Sequence, residues 1–206
     1  MNIILQNTGK KFNTDWIFRN VNFTFGGEDA YAILGRNGSG KSTFLQVLAG
    51  NIVPTSGTIS YSYKNNPVPA EQIFRYLVLV APYQELIEEF TLKEMLDFHF
   101  SFKPIMPGFS VGKLIEMLGF AAHKEKPIRQ FSSGMKQRVK LIMAILSDMP
   151  LLLLDEPTMN LDQAGSAWYL DLVNEFRKNR LTIVCSNLEQ AETGFCKGKI
   201  LIEDYK

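Results

Sequence analysis

Residues 35–42 constrain this chain more than any other feature. Gly35-Arg36-Asn37-Gly38-Ser39-Gly40-Lys41-Ser42 satisfies the spacing G-x-x-x-x-G-K-[ST]. It follows the short apolar run Tyr31-Ala32-Ile33-Leu34 and opens a helical pattern over about residues 41–49. Glycines in such a loop let backbone N–H groups curl around phosphate oxygens, and the N-terminus of the helix adds a favourable dipole. Lys41 then reaches the outer phosphates of a nucleotide, and the Ser42 hydroxyl reaches Mg²⁺. Gly35, Asn37, Gly38, Ser39, Gly40, Lys41, Ser42 and Thr43 form the expected nucleotide-binding set.

A loop of this kind needs a strand to feed it and a helix to leave it, and the rest of the chain supplies that alternation. Residues 2–6 and 20–25 alternate apolar and polar, as half-exposed antiparallel strands do. Thr58–Tyr63 alternates again, and Tyr76–Val80 reads as a buried strand. Residues 85–131 change character: helical periodicity over Thr91–Phe102 and Val111–Phe120 is broken by Pro104, Pro107 and Gly108. A long helix over Ser133–Ser147, a buried strand at Leu151–Leu154, a helix over about 162–178, a strand at Leu181–Cys185 and a closing strand at Ile200–Glu203 complete the pattern. The expected architecture is α/β: a core with a largely parallel sheet, an antiparallel β subdomain and an inserted helical lobe. The core spans 1–84 and 132–206, and the lobe spans 85–131.

Composition narrows the function classes. With 22 Lys and Arg against 21 Asp and Glu, the net charge of +1 gives no argument for nucleic acid as a partner. The longest apolar runs are about a third of the roughly 20 residues that a membrane-spanning helix needs. The first seven residues lack the basic and apolar regions of a secretory signal. The two cysteines, Cys185 and Cys196, match neither a metal knuckle nor a redox pair and read as reduced thiols.

The apolar run Leu151–Leu154 ends in Asp155-Glu156. A buried strand that ends in a carboxylate presents it at the ligand edge of a parallel sheet. Asp155 is placed to hold Mg²⁺ through water, and Glu156 to orient or deprotonate an attacking water.

Beyond these two motifs, the chain resembles the ATP-binding subunits of ABC (ATP-binding cassette) transporters along essentially its whole length. Phe131-Ser132-Ser133-Gly134-Met135-Lys136-Gln137-Arg138 is similar to the signature L-S-G-G-Q-x-Q-R. Pro54–Ile59, Asp155-Glu156-Pro157-Thr158 and Asn160-Leu161-Asp162 follow in that family's order. The resemblance implies a RecA-like P-loop NTPase core that binds ATP with Mg²⁺ and works as a homodimer or heterodimer beside an integral membrane permease. It also implies a cytoplasmic site on the inner face of the membrane. It makes Phe12 the aromatic that stacks on adenine, with Trp16 as rival, and Gln84 a Mg²⁺ ligand at the lobe boundary. Ser132 and the Gly134 N–H become contacts to γ-phosphate held by a second subunit. The short length loosely resembles the haem-exporter type.

Three positions depart from the pattern. Ser133 stands where the family usually has glycine, Met135 where it has glutamine, and Asn187 where it has the switch histidine. Asn187 can donate a hydrogen bond but carries no charge, so slower hydrolysis is expected. His99 and His123 cannot stand in and read as surface or structural residues. The resemblance therefore implies an ATPase subunit that powers a separate permease. A slow regulatory ATPase or a soluble non-transport ATPase is the alternative. A guanine-reading N-K-x-D motif is absent. The phenylalanines at 90, 98, 100, 102 and 109 outnumber what one small lobe turns inward. One or two of Phe100, Phe102 and Phe109 are therefore expected on a docking surface.

Overall fold

A computed structural model describes residues 1–27, 29–187 and 192–206. β1 (Asn2–Phe12) and β2 (Asp15–Phe25) form an antiparallel hairpin, turned at Asn13 with φ 51°. β1 also pairs with β4 (Ser56–Tyr63), and β4 pairs with β5 (Asn66–Val68), giving the sheet order β2-β1-β4-β5. The second sheet is parallel throughout, in the order β6-β7-β8-β3-β9: β3 (Ala30–Leu34), β6 (Leu77–Val80), β7 (Leu151–Asp155), β8 (Leu181–Ser186) and β9 (Gly198–Leu201).

α1 (Lys41–Leu48) is wedged between the two sheets. Its Phe44 ring lies 5.0 Å from Phe18 and 6.4 Å from Phe25, both on β2, while the same helix meets β7 and β8. Leu151, Leu153, Ile183 and Cys185 close this core from the parallel sheet. Alternate residues of β7 and β8, Leu152, Leu154 and Val184, face the other way. There they meet α4 (Ser133–Ile145) and α5 (Gln163–Phe176).

Residues 85–131 hold α2 (Leu92–Phe102) and α3 (Val111–Leu118). Thr91 and Glu94 form a reciprocal capping box at the start of α2, and Ser110 caps α3. The buried stripe of α2 is Leu92, Met95 and Leu96, an i, i+3, i+4 pattern. It packs with Leu114, Ile115, Leu118 and α4 in one continuous cluster. That stripe leaves Phe98 (42% exposed) and Phe102 (71% exposed) outward, their rings 5.2 Å apart edge to face. Phe100 and Phe109 pack against the core instead. The expectation of an exposed ring holds at Phe102, whereas its companion is Phe98 rather than Phe100 or Phe109.

The chain end also differs from the reading. The closing strand stops at Leu201, and Ile202–Tyr205 turns as a 3₁₀ helix, which brings the Glu203 carboxylate under the Arg36 N–H at 2.8 Å. His99 is half-buried, with Nε2 2.9 Å from Ser147 Oγ, and burial pushes its pKa down to about 4. It is structural, as expected.

Arg180, just before β8, has no counterpart in the sequence reading. Its side chain is 3% exposed and donates to Ile145 O (2.7 Å) and Ser147 O (3.0 Å), capping the end of α4. Burial lowers its pKa to about 10, so it stays charged at neutral pH. Arg180→Met leaves Ile145 O buried and unpaired and takes one of two donors from Ser147 O, which keeps the Met149 N–H (2.9 Å), a loss of about 3 kcal/mol. For a chain of this size the expected fall in Tm is roughly 6–12 °C. A shift under about 2 °C in a thermal melt refutes the cap.

Candidate nucleotide site

The register of the parallel sheet gathers three loops on one edge. Leu34 pairs with Ser186, and Asp155 with Cys185. The loops after β3, β7 and β8 therefore leave the sheet side by side, where ligands bind in parallel α/β folds. The loop after β3 is the glycine-rich segment. Gly38 (φ 76°) and Gly40 (φ 107°) hold left-handed conformations. A Cβ on Gly40 would come 2.4 Å from Ile17 Cγ2, so close approach as well as φ demands glycine there. A Cβ on Gly38 would meet nothing within 4 Å, because the space before it is open. Lys41 then begins α1.

Lys41 is 4% exposed. Its Nζ donates to Gly35 O (2.9 Å) and Arg36 O (3.1 Å) and lies 3.9 Å from Glu156 Oε1. The ammonium is thus aimed back into its own loop and toward the end of β7. Asn37, Gly38, Gly40, Ser42, Thr43 and Glu156 line one cavity of about 490 Å³ together with Lys41. Gly35 opens instead onto a neighbouring depression that holds Asn187 and Glu203.

Asp155 is 2% exposed, and its Oδ1 has no hydrogen-bond partner. Loss of solvent raises its pKa, against the lowering effect of a hydrogen bond from Ser42. The Ser39 hydroxyl is likewise buried without a partner. Polar oxygens left unpaired beside an open glycine cradle suit a phosphate and a hard cation, and a Ser hydroxyl with a carboxylate is the oxygen donor set that Mg²⁺ takes. Glu156 is partly exposed and left-handed (φ 45°), and its N–H is anchored to Cys185 O at 2.9 Å. Asn187 is exposed and donates from Nδ2 to Asn37 Oδ1 (3.0 Å), tying the end of β8 to the glycine loop.

Gln84 and Phe12 also stand apart from the phosphate cavity. Gln84 closes a tight turn, with Ala81 N–H donating to its Oε1 (3.1 Å) and its own N–H to Ala81 O (3.2 Å). It lines the groove between core and lobe rather than the phosphate cavity. Its carbonyl is held by its own turn and would have to be released to reach a metal. Phe12 lies half exposed near the hairpin turn, with Lys10 Nζ 5.1 Å from its ring centre. Trp16 lies against Gly9, where a Cβ would come 2.9 Å from its ring. The hairpin residue that lines the cavity is Ile17, an extra residue in the irregular pairing of Lys10 with Phe18 and Lys11 with Trp16. Alternation fails at such a bulge, which is why sequence reasoning missed it.

Ser132 caps α4, accepting from Met135 N–H at 3.2 Å. Ser132, Ser133 and Gly134 line a separate cavity of about 350 Å³ with Asn160 and Asp162. A Cβ on Gly134 would come 3.0 Å from Asn160 O, so the start of this helix sits on the loop after β7. Ser133 is exposed, and Met135 is partly buried against the core. Within one chain, the glycine loop and the start of α4 line different cavities.

The sequence model of the ABC transporter family matches residues 18–159. The lantibiotic transport ATP-binding protein SrtF of Streptococcus pyogenes is 32% identical over 97% of this chain and 89% of its own length. The cytochrome c biogenesis ATP-binding export protein CcmA of Agrobacterium fabrum is 32% identical over 84% of this chain and 82% of its own. A solved ATP-binding subunit of an ABC transporter superimposes with a TM-score of 0.79 at 23% identity, over 98% of this chain and 86% of that one, a likeness of fold.

Asp155 connects this site to stability. An acid whose pKa is raised on folding keeps its proton longer when folded, so its contribution to stability falls as pH climbs from the unfolded value of 3.8 through the raised folded value. Asp155→Asn is expected to raise the Tm of the nucleotide-free protein at neutral pH. It is also expected to shrink the further Tm gain produced by ATP with Mg²⁺. A lower nucleotide-free Tm would show that the carboxylate stabilises the fold.

Proposed function

The chain belongs to the ABC transporter family, and from that membership we propose that it binds ATP in the cavity before Lys41, hydrolyses it with Glu156 and drives a separate membrane permease. Family membership makes it an ATP-binding, ATP-hydrolysing transporter subunit. The observation that supports the residue roles is the convergence of Lys41, Ser42, Asp155 and Glu156 at one sheet edge.

Phosphate oxygens replace Gly35 O and Arg36 O as the partners of the Lys41 ammonium, which turns its charge toward the β- and γ-phosphates. The glycine-loop N–H groups and the α1 N-terminus hold the remaining oxygens. Ser42 Oγ and Asp155 would hold Mg²⁺, which supplies neutralisation of phosphate charge when bound. Glu156, freed from Lys41, accepts a proton from the attacking water and aligns it. Asn187 donates a neutral hydrogen bond toward the γ-phosphate once its contact to Asn37 is exchanged. Phe12 remains the aromatic proposed for adenine. Gln84 remains the proposed sensor, once its turn opens.

Because the start of α4 and the glycine loop line different cavities, the γ-phosphate contacts of Ser132 and Gly134 are proposed to reach a second subunit's ATP. That subunit is another copy or a related chain. No helix among the described residues is long and apolar enough to cross a membrane, so the permease is proposed as a separate chain that holds this subunit at the inner face. The groove of about 460 Å³ beside Gln84, lined by Met95, Lys103 and Lys140, is the proposed docking site, with Phe98 and Phe102 on the exposed side of α2. Among the described residues, the two lysines donate to backbone carbonyls, Phe74 O and Gln84 O. An acidic side chain on the permease segment complements them. A slower, regulatory ATPase is the second reading. The uncharged Asn187, engaged with Asn37, favours it.

Glu156→Gln should keep ATP binding and lower turnover about 100-fold or more, the range of a lost general base. Lys41→Ala should instead abolish binding. Parental turnover in Glu156→Gln sinks the assignment. For docking, Phe98→Ser with Phe102→Ser should weaken co-purification with the multi-span permease by about 10-fold or more, as loss of an aromatic hot spot does. Basal ATPase activity and Tm should stay near parental values. A Tm loss of several degrees without loss of the permease would place both rings in the lobe core.

A further inference from the structure

Glu192 is a buried acid that the mechanism above does not use. It is 2% exposed, yet both carboxylate oxygens are engaged. Oε1 accepts from the Thr158 N–H (2.9 Å) and the Thr158 hydroxyl, and Oε2 accepts from the Ser186 hydroxyl. Its own carbonyl accepts from Tyr169 OH (3.3 Å), and Tyr169 is fully buried on α5.

The positions of those partners give the contact its meaning. Thr158 lies two residues after Glu156 and two before Asn160. Ser186 is the last residue of β8 and adjoins Asn187. Glu156 sits at φ 45°, a conformation that a non-glycine residue keeps only when its surroundings over-determine it. Three contacts hold this turn from other sides: Glu156 N–H to Cys185 O (2.9 Å), Met159 N–H to Glu156 O (3.0 Å) and Gln137 Nε2 to Pro157 O (2.8 Å). Among the described residues, Glu192 is the side chain that binds the turn and the β8 end together. An ionised carboxylate is an acceptor only, so it can take donors from both sides at once.

We propose that Glu192 is a positioning residue for hydrolysis, its carboxylate clamping the turn that carries Glu156 to the strand end that carries Asn187. The clamp keeps the base and the Asn187 amide at one separation across the γ-phosphate. This inference rests on the reading of Glu156 as the base.

The variants differ in what they keep. Glu192→Gln retains an acceptor for Thr158 and offers an amide to Ser186, whereas Glu192→Leu fills similar space with neither. With ATP turnover and fluorescent-nucleotide binding measured for each, Glu192→Leu should lower kcat about 10- to 100-fold while Kd changes less than about twofold, the pattern of an interaction that acts on the transition state. Glu192→Gln should stay within about threefold of the parent. Equal losses in both variants that track a fall in Tm overturn the proposal, as does parental kcat in Glu192→Leu. Ser186→Ala decides the matter even where Glu192→Leu fails to fold, because it removes the β8 arm whole, whereas Thr158→Val leaves the Thr158 N–H on Oε1. Ser186→Ala should lower kcat about 10-fold with Kd changed less than about twofold, and Thr158→Val should cost less. Parental kcat in Ser186→Ala refutes the clamp. Glu156→Gln in the same assay separates the two readings: parental turnover there refutes the base, whereas a silent Glu192 beside an inactive Glu156→Gln refutes only the clamp.

Discussion

A buried ammonium organises this molecule. Lys41 is almost wholly removed from solvent, and a buried charge persists only where oxygens or an opposite charge surround it. Gly35 O and Arg36 O meet it from its own loop, and Glu156 faces it from the end of β7. To turn two carbonyls inward on one side chain, the loop must curl. The curl passes through left-handed Gly38 and Gly40. Gly40 must also let Ile17 approach, so the hairpin is fixed against the loop by the same residue. α1 then starts at the lysine and is wedged between the sheets by Phe44. The antiparallel and parallel layers are thus joined through the helix that carries the charge.

The parallel pairing does the remaining placement. β7 and β8 are buried on both faces, and their alternation divides one strand between two cores: Leu151 and Leu153 toward α1, Leu152 and Leu154 toward α4. A slip of one residue in this register would exchange the cores and turn Asp155 away from Ser42. The acid is therefore positioned by the aliphatic residues before it.

What could be read from the sequence was local. The glycine loop, the acidic strand end and the apolar runs each signal through neighbours in the chain, and strands β3, β7 and β8 lie where the runs put them. Contacts that join distant segments left no such trace. Arg180 caps a helix that ends 35 residues earlier in the chain, and Glu192 binds a turn 34 residues before it; a lone Arg or Glu between apolar runs looks like a solvated residue. Ile17 was hidden by a bulge. The exposed ring beside Phe102 lies at Phe98 and not at Phe100 or Phe109, because helical spacing orders residues around an axis without saying which sector faces the core. Capping by Thr91 and burial of Leu92, Met95 and Leu96 decide that sector.

Away from the nucleotide edge, Tyr61 OH and the terminal nitrogens of Arg180 find backbone carbonyls, whereas Arg180 Nε and Thr182 Oγ1 have no partner among the described residues. At the edge, Ser39 Oγ and Asp155 Oδ1 have no partner, and Glu156 holds a left-handed conformation. The two unpaired oxygens destabilise the nucleotide-free fold, and groups that a phosphate or a cation supplies can pair them. A site whose polar atoms were already paired internally would have to break those bonds before binding. Lys41 shows the intermediate case, since its carbonyl contacts are neutral and exchangeable for charged oxygens. Its distance of 3.9 Å from Glu156 leaves the carboxylate loosely held, so phosphate can draw the ammonium away from it. On the proposed reading of Glu156 as the base, the cation that restrains the carboxylate is the one that the nucleotide recruits.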